Sequence, residues 1–297
     1  MPFPHAFAGG IVLSMLAVGG LAARQETPQA RFSSQVQLVE VYATVIDSKG
    51  EPVTGLSRDD FEVYEDGTRQ EISAFAAGEF PLTAVLGVDR SWSMAGDRLR
   101  LAKQASQSFI RALRPDDRTM VMAINNEAEI VAPLTMDRAG QIRAIERLDP
   151  WSTTALHDSL ITALDRLEGE TGRQAIVVFS DGADRYSHAS PADVIERARR
   201  SNSLIYPIGL GRERPAVLAE LAVVTGGRSF LLRDVKELDK TLTEIARELR
   251  QQYLIGYTPS PVAGGASGWR SIRVTTRTPG LRVRARDGYM SNEGDLH

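Results

Sequence analysis

Residues 82–93 read LTAVLGVDRSWS. Seven uncharged residues of strand length, Leu82–Val88, run directly into Asp89, with Ser91 and Ser93 at the next alternate positions. A short apolar run bounded by turn-forming polar residues predicts a buried strand. The D-x-S-x-S that follows sets one carboxylate and two hydroxyls at its carboxyl end.

Outward from this stretch the chain alternates strand-length apolar runs with helix-period segments. Strands are predicted over Leu82–Val88, Thr119–Ile124, Ile130–Ala132, Ala175–Phe179, Leu204–Ile208 and Arg228–Leu232. Helical patterns cover Arg98–Leu113, Ala139–Leu148, His157–Glu168, Pro191–Ser201, Pro215–Val224 and Val235–Gln252. Such alternation predicts an α/β fold with a doubly wound, mostly parallel sheet carrying helices on both faces. Pro191 and Pro215 suit first helical turns, and Gly226-Gly227 suits a helix end.

The flanks follow a different grammar. Residues 36–45 alternate apolar and polar positions, a second run reaches the hairpin signal Glu65-Asp66-Gly67, and Ile72–Phe75 makes a third. After Gln252, Tyr253–Tyr257 reads as a strand. Beyond the Gly/Pro/Ser stretch 259–268, Trp269–Thr276 and Leu281–Ala285 are predicted to form a hairpin about Thr278-Pro279-Gly280. Each flank is too small for a core of its own, so the two are expected to pack together, with the α/β domain interrupting one small antiparallel β domain. The organisation expected is a signal peptide (1–23), a linker (24–34), an N-terminal β segment (35–79), an α/β domain (80–252), a C-terminal β segment (253–290) and a loose tail (291–297).

Residues 9–23, GGIVLSMLAVGGLAA, are apolar or small and give way to the polar RQETPQARFSSQ. The run is shorter than the about 20 residues of a membrane span. It has the order of a secretory signal, although no Lys or Arg precedes it. The expectation is export to the periplasm or beyond, with cleavage near Ala22 or Ala23 and no membrane insertion afterwards; an uncleaved segment would act as an anchor.

The 297 residues include no cysteine, which excludes disulfides, thiol nucleophiles and thiolate metal sites. A net charge of -3 without dense basic runs gives no footprint for nucleic acid. Arg197, Arg199 and Arg200 read as the solvated face of a helix. Oligomeric state is not legible.

Ligands of open parallel sheets bind beyond the carboxyl ends of the strands. Three segments there carry oxygen donors: Asp89, Ser91 and Ser93; Thr154 within Ser152-Thr153-Thr154-Ala-Leu; and Asp181 within Ser180-Asp181-Gly182. An oxygen-only set suits Mg²⁺, Mn²⁺ or Ca²⁺ rather than zinc or copper. Each motif alone is weak, because Asp, Ser and Thr also cap helices and make turns. Asp97 reads as such a cap. Trp92 and Met94 are read either as an apolar rim to the site or as packing beneath its loop.

Asp-x-Ser-x-Ser after a first apolar strand, a Thr-Ala-Leu loop, and Ser-Asp-Gly after a central strand together resemble the von Willebrand factor A family over about residues 80–252. The resemblance implies a metal-ion-dependent adhesion site. Ser91, Ser93 and Thr154 would supply hydroxyl ligands, Asp89 and Asp181 would act directly or through water, and Mg²⁺ would be the foremost cation. Its last position would be left for a carboxylate of a protein partner, from Asp or Glu, or for water. Trp151-Ser152-Thr153 stands where the family frequently has paired glycines, which leaves open whether Thr153 or Thr154 faces the cation. The segments VTGLSRDDFEVYEDG, QYLIGYTPS and GLRVRARDGY are similar to exported bacterial proteins of acidobacterial type that embed such a domain between β segments.

A cation with few direct carboxylates is under-neutralised and draws an incoming one. The expected function is therefore metal-dependent protein binding or adhesion, not catalysis. His157 is the nearest candidate base, and it reads as a cap or packing residue at a helix start. The alternatives are an accessory or assembly subunit of an envelope complex with a structural metal and, behind it, a metallohydrolase.

Overall fold

The computed structural model describes residues 38–78, 80–181, 184–213, 215–259 and 268–291. The signal and linker expected over 1–34 lie outside these residues, as do Gly182, most of the 259–268 stretch and the tail beyond Ser291.

In chain order the strands and helices are β1 (Val39–Ile46), β2 (Phe61–Glu65), β3 (Thr68–Gln70), β4 (Ile72–Ala77), β5 (Leu82–Asp89), α1 (Asp97–Ala112), β6 (Arg118–Ile124), β7 (Ala128–Thr135), α2 (Arg138–Glu146), α3 (Leu156–Leu167) and β8 (Arg173–Ser180). They continue with α4 (Pro191–Arg199), β9 (Ser203–Leu210), α5 (Ala216–Thr225), β10 (Phe230–Leu232), α6 (Leu238–Arg250), β11 (Tyr253–Tyr257), β12 (Gly268–Thr276), β13 (Arg282–Arg284) and β14 (Gly288–Ser291).

The α/β fold read from the sequence is the one observed. Six strands lie in the order β10-β9-β8-β5-β6-β7, parallel except for β7, which returns antiparallel to β6. Strands β5, β8 and β9 are buried at every position, as a parallel sheet covered on both faces requires. Side chains alternate between two cores. Leu82, Leu86 and Val88 pack with Leu99 and Phe109 of α1 and Ile245 and Leu249 of α6. Val85, Ile176 and Val178 pack with Leu160 and Leu164 of α3, Val194 of α4 and Leu221 of α5. Gly226 ends α5 at φ +78°, and a Cβ on Gly227 would meet the Ile205 carbonyl oxygen at 1.9 Å. This double glycine therefore serves both a left-handed cap and a close backbone approach.

Strand β5 is flanked by β6 on one side and β8 on the other, both parallel to it. The winding reverses at β5. Loops leaving β5 and its neighbours diverge there, opening the crevice in which α/β sheets hold ligands.

The flanking segments build a sandwich of two four-stranded sheets, β13-β1-β11-β4 and β14-β12-β2-β3. Strand β1 pairs with β11 and β2 with β12, so residues from before and after the α/β domain share both sheets. Val41, Val45, Phe61, Val63, Tyr253, Ile255, Ile272 and Val274 fill the space between them. The β2–β3 turn has Asp66 at φ +47° and Gly67 at φ +79°, the positive-φ pair of a type I′ hairpin.

Two local expectations change. Trp269–Thr276 and Leu281–Ala285 do not pair as a hairpin: β12 pairs with β2 and β14, whereas β13 crosses to the other sheet and pairs with β1. The Thr278-Pro279-Gly280 turn bends the chain without choosing its partner. The expected loose tail begins one residue too early, since Ser291 is buried and closes β14 against Gly268. Between the two lobes, Glu248 of α6 accepts the Tyr206 hydroxyl of β9 at 2.9 Å and pairs with Arg284 of β13 at 2.6 Å.

Candidate functional site

Asp89 ends β5 at the winding reversal and is fully buried. The Ser91 amide donates to one of its carboxylate oxygens at 2.8 Å, and the Ser180 hydroxyl at the end of β8 donates to the other at 2.5 Å. Burial pushes the Asp89 carboxyl up. The hydrogen bonds from Ser180 and Ser91 oppose that shift, and the neighbouring Asp181 charge adds to it. One turn of 3₁₀ helix, Trp92–Met94, follows Ser91. It turns Met94 into the core and leaves Ser93 exposed, with the Ser91 and Ser93 hydroxyl oxygens 3.0 Å apart.

Asp181 follows β8 directly. Its Oδ1 is buried and has no hydrogen-bond partner among the described residues. A buried carboxylate oxygen without a donor is costly unless something else compensates its charge. Two acidic side chains and two hydroxyls, all oxygen donors, are chemically suited to a hard divalent cation.

Thr154 is buried in the loop before α3. Its carbonyl accepts the Arg185 amide at 3.0 Å and the Tyr186 amide at 3.1 Å, while Thr153 is half-buried. Hydrogen bonds join all three loops. Trp92 N donates to Ser152 O at 3.1 Å, Trp151 N to Arg90 O at 2.8 Å, and Ala155 N to Asn125 O at 2.6 Å. Ser152, in the loop without the paired glycines, holds φ +58°, an uncommon conformation for a residue with a Cβ.

Residues 84–183 match the family model described as the von Willebrand factor type A domain. This chain carries a von Willebrand factor type A domain.

The domain resembles a von Willebrand factor type A structure from Catenulispora acidiphila, with a TM-score of 0.53 and 15% identity over 82% of this chain and 78% of that one. It also resembles proximal thread matrix protein 1 of the mussel byssus, with a TM-score of 0.53 and 19% identity, covering 63% of this chain and 51% of the other. At these identities the likeness is one of fold. A UPF0353 protein of Mycolicibacterium paratuberculosis is 26% identical over 226 residues, 65% of this chain and 66% of its own length. Two further curated relatives, both uncharacterized proteins, are spanned over 48% and 26% of their lengths. The chain thus spans 66% or less of the length of each of these three curated relatives.

In and just beyond the matched segment, the sequence left several supporting residues unassigned. Asp184 accepts the His157 amide at 2.8 Å and the Ser187 hydroxyl at 2.7 Å, and lies 3.3 Å from the His157 ring. Although burial works the other way, hydrogen bonds from His157 and Ser187 hold the Asp184 carboxyl low. Asp158 accepts the amides of His188 and Ala189, both at 2.9 Å. The 184–189 loop is thereby fastened to the start of α3, and His157, whose Nδ1 is 3.2 Å from the Ala189 carbonyl, belongs to that fastening. The Asp184-x-x-Ser187 spacing, a turn in which Asp bonds its own backbone, was the available signal. Asp97 is the first residue of α1 rather than its cap. Gly96 at φ +76° occupies the cap, and Asp97 accepts Arg100 Nε at 3.0 Å.

Among the described residues no helix is long and apolar enough to cross a membrane.

Proposed function

We propose that this protein is an exported, non-enzymatic recognition module that grips a carboxylate of a protein partner through a divalent cation, Mg²⁺ foremost. Asp89, Ser91, Ser93, Thr154 and Asp181 would hold the ion. The observation that carries the reading is the buried, unpartnered Asp181 Oδ1 next to Asp89, whose carboxyl burial and the Asp181 charge push up. Two neighbouring acids with hydroxyls close by are the electrostatic demand that a hard cation meets. When bound, the ion would supply a positive charge that attracts a carboxylate of the partner. The chain's own residues orient the rest: Ser180 and the Ser91 amide hold the Asp89 carboxylate, and the Thr154 carbonyl holds the 184–189 loop alongside.

The apolar run 9–23 followed by a polar stretch supports export. Titration calorimetry of the mature chain with MgCl₂ tests the site. Saturable binding is expected for wild type, and none for Asp89→Ala at an unchanged far-UV CD spectrum. Absence of binding by wild type to Mg²⁺, Mn²⁺ and Ca²⁺ alike would overturn the reading.

A further inference from the structure

Four aromatic side chains stand out as exposed among the described residues: Trp92, Trp151, Tyr186 and Trp269. The Arg199 guanidinium covers Trp269 in a cation–π contact. The other three share one place. Trp92 lies between Ser91 and Ser93 and is 65% exposed, Trp151 precedes Thr154 by three residues and is 57% exposed, and Tyr186 is 55% exposed. Their backbones are stitched into the site: Trp92 N to Ser152 O, Trp151 N to Arg90 O, and Tyr186 N to Thr154 O. Three large aromatics on three different loops, each held by a backbone hydrogen bond, form an exposed apolar collection of the kind that marks interaction surfaces.

Charges of both signs lie near them: Asp149 precedes Trp151 by two residues, and Asp184 accepts the Tyr186 amide at 3.3 Å, while two basic residues flank the same loops. Arg98 donates to the Ser93 carbonyl at 3.2 Å, and the Arg185 amide donates to the Thr154 carbonyl. Both side chains are exposed, and neither forms an ion pair among the described residues. Two guanidiniums without ion pairs among the described residues, on segments next to the exposed aromatic residues, suit a carboxylate flanked by apolar groups.

We propose that Trp92, Trp151 and Tyr186, with Arg98 and Arg185, select the partner: a protein segment in which an acidic residue is flanked by a large apolar side chain and followed by a second carboxylate. This rests on the metal reading above for the role of the first carboxylate. The aromatic surfaces take the apolar neighbour and the guanidiniums take the second acid. Specificity then lies outside the ion, which by itself distinguishes no carboxylate from another.

Selection from a random dodecapeptide display library on the mature chain tests this, with MgCl₂, with EDTA, and against a Trp92→Ala/Trp151→Ala double variant whose Mg²⁺ affinity is measured in parallel. The expected result is enrichment of Asp or Glu next to Phe, Trp, Leu or Ile with a further acid nearby. In the double variant binding of those peptides falls about tenfold or more, while its Mg²⁺ affinity stays as in wild type. Arg98→Gln/Arg185→Gln is expected to lose the preference for the second acid alone. Enrichment of isolated acids, unchanged binding by the double variant, or no enrichment at all would each overturn the proposal. Failure of the metal reading has a different signature, namely no Mg²⁺ binding together with the same aromatic-dependent peptides selected in EDTA.

Discussion

Glu65 in the β sandwich and Asp89 at the head of the parallel sheet are both buried carboxylates, and their surroundings differ in kind. Glu65 meets the Arg270 guanidinium and accepts the hydroxyls of Tyr257 at 2.7 Å and Tyr289 at 3.0 Å. Burial, and then the hydrogen bond to Glu65, push the Tyr257 hydroxyl far up, which keeps it a donor. Asp89 has hydroxyl and amide donors, and the charged group that perturbs it is another acid, Asp181. A buried ion with its counter-ion and donors in place is a structural joint, whereas of these two neighbouring acids only Asp89 has donors and neither is paired with a cationic side chain among the described residues, an arrangement that suits an added positive charge. The same buried acidic group thus meets its counter-charge inside the chain in one lobe and not in the other, where the proposed function would supply it.

The sharpest way to break this contrast is to take the cation from Glu65. Arg270→Met should cost about 3–5 kcal/mol in urea denaturation, the usual consequence of leaving one partner of a buried pair behind; stability equal to wild type would erase the distinction. Next in size is the ion itself. At about one hundred times its dissociation constant, Mg²⁺ should raise wild-type stability by about 2.7 kcal/mol and leave Asp89→Asn unchanged, as thermal melts at graded MgCl₂ will record.

In the absence of divalent ions, Asp89→Asn should be more stable than wild type at pH 7 by about 1 kcal/mol, since it removes a buried, uncompensated charge. The sign follows from the raised carboxyl: in wild type the favourable, protonated form prevails below the unfolded-state value and is lost as pH rises through the folded one. The advantage of Asp89→Asn should therefore vanish as pH falls below about 3.9, which paired denaturation curves at pH 3 and pH 7 will check. At the small end, Tyr289→Phe should cost about 1 kcal/mol. Ser93→Ala, at an exposed hydroxyl, should leave stability within about 0.5 kcal/mol while weakening Mg²⁺ binding in calorimetry.

Much of the fold was legible because hydrophobic period is a local property. The stretch LTAVLGV is uncharged throughout and becomes β5, buried at every position; Glu65-Asp66-Gly67 announces the turn whose two positive φ angles join β2 to β3. Pairing across long separations was less so. The Thr278-Pro279-Gly280 turn suggested a hairpin, but β13 lies beside β1, because a turn sets where the chain bends while the cores on both faces decide what each strand meets. At the site, the oxygen donors Asp89, Ser91, Ser93, Thr154 and Asp181 could be proposed from motif order. The fastening of the 184–189 loop by Asp184 and Asp158 could not, since it depends on loops that meet only after the sheet forms. The Trp92–Met94 alternation left two readings open until the 3₁₀ turn exposed one side chain and buried the other.

By itself, then, the sequence determined the α/β class, the interrupted β domain and which oxygen-bearing residues follow which strands, because periodicity and turn chemistry act over a few neighbouring residues. Only the tertiary structure decided that β5 sits where the winding reverses. It also decided that Asp181 presents a buried oxygen without a donor near Asp89, and that Trp92, Trp151 and Tyr186 are exposed on the loops that surround them. Burial, charge proximity and exposure belong to the packed arrangement of distant segments, and no single segment carries them.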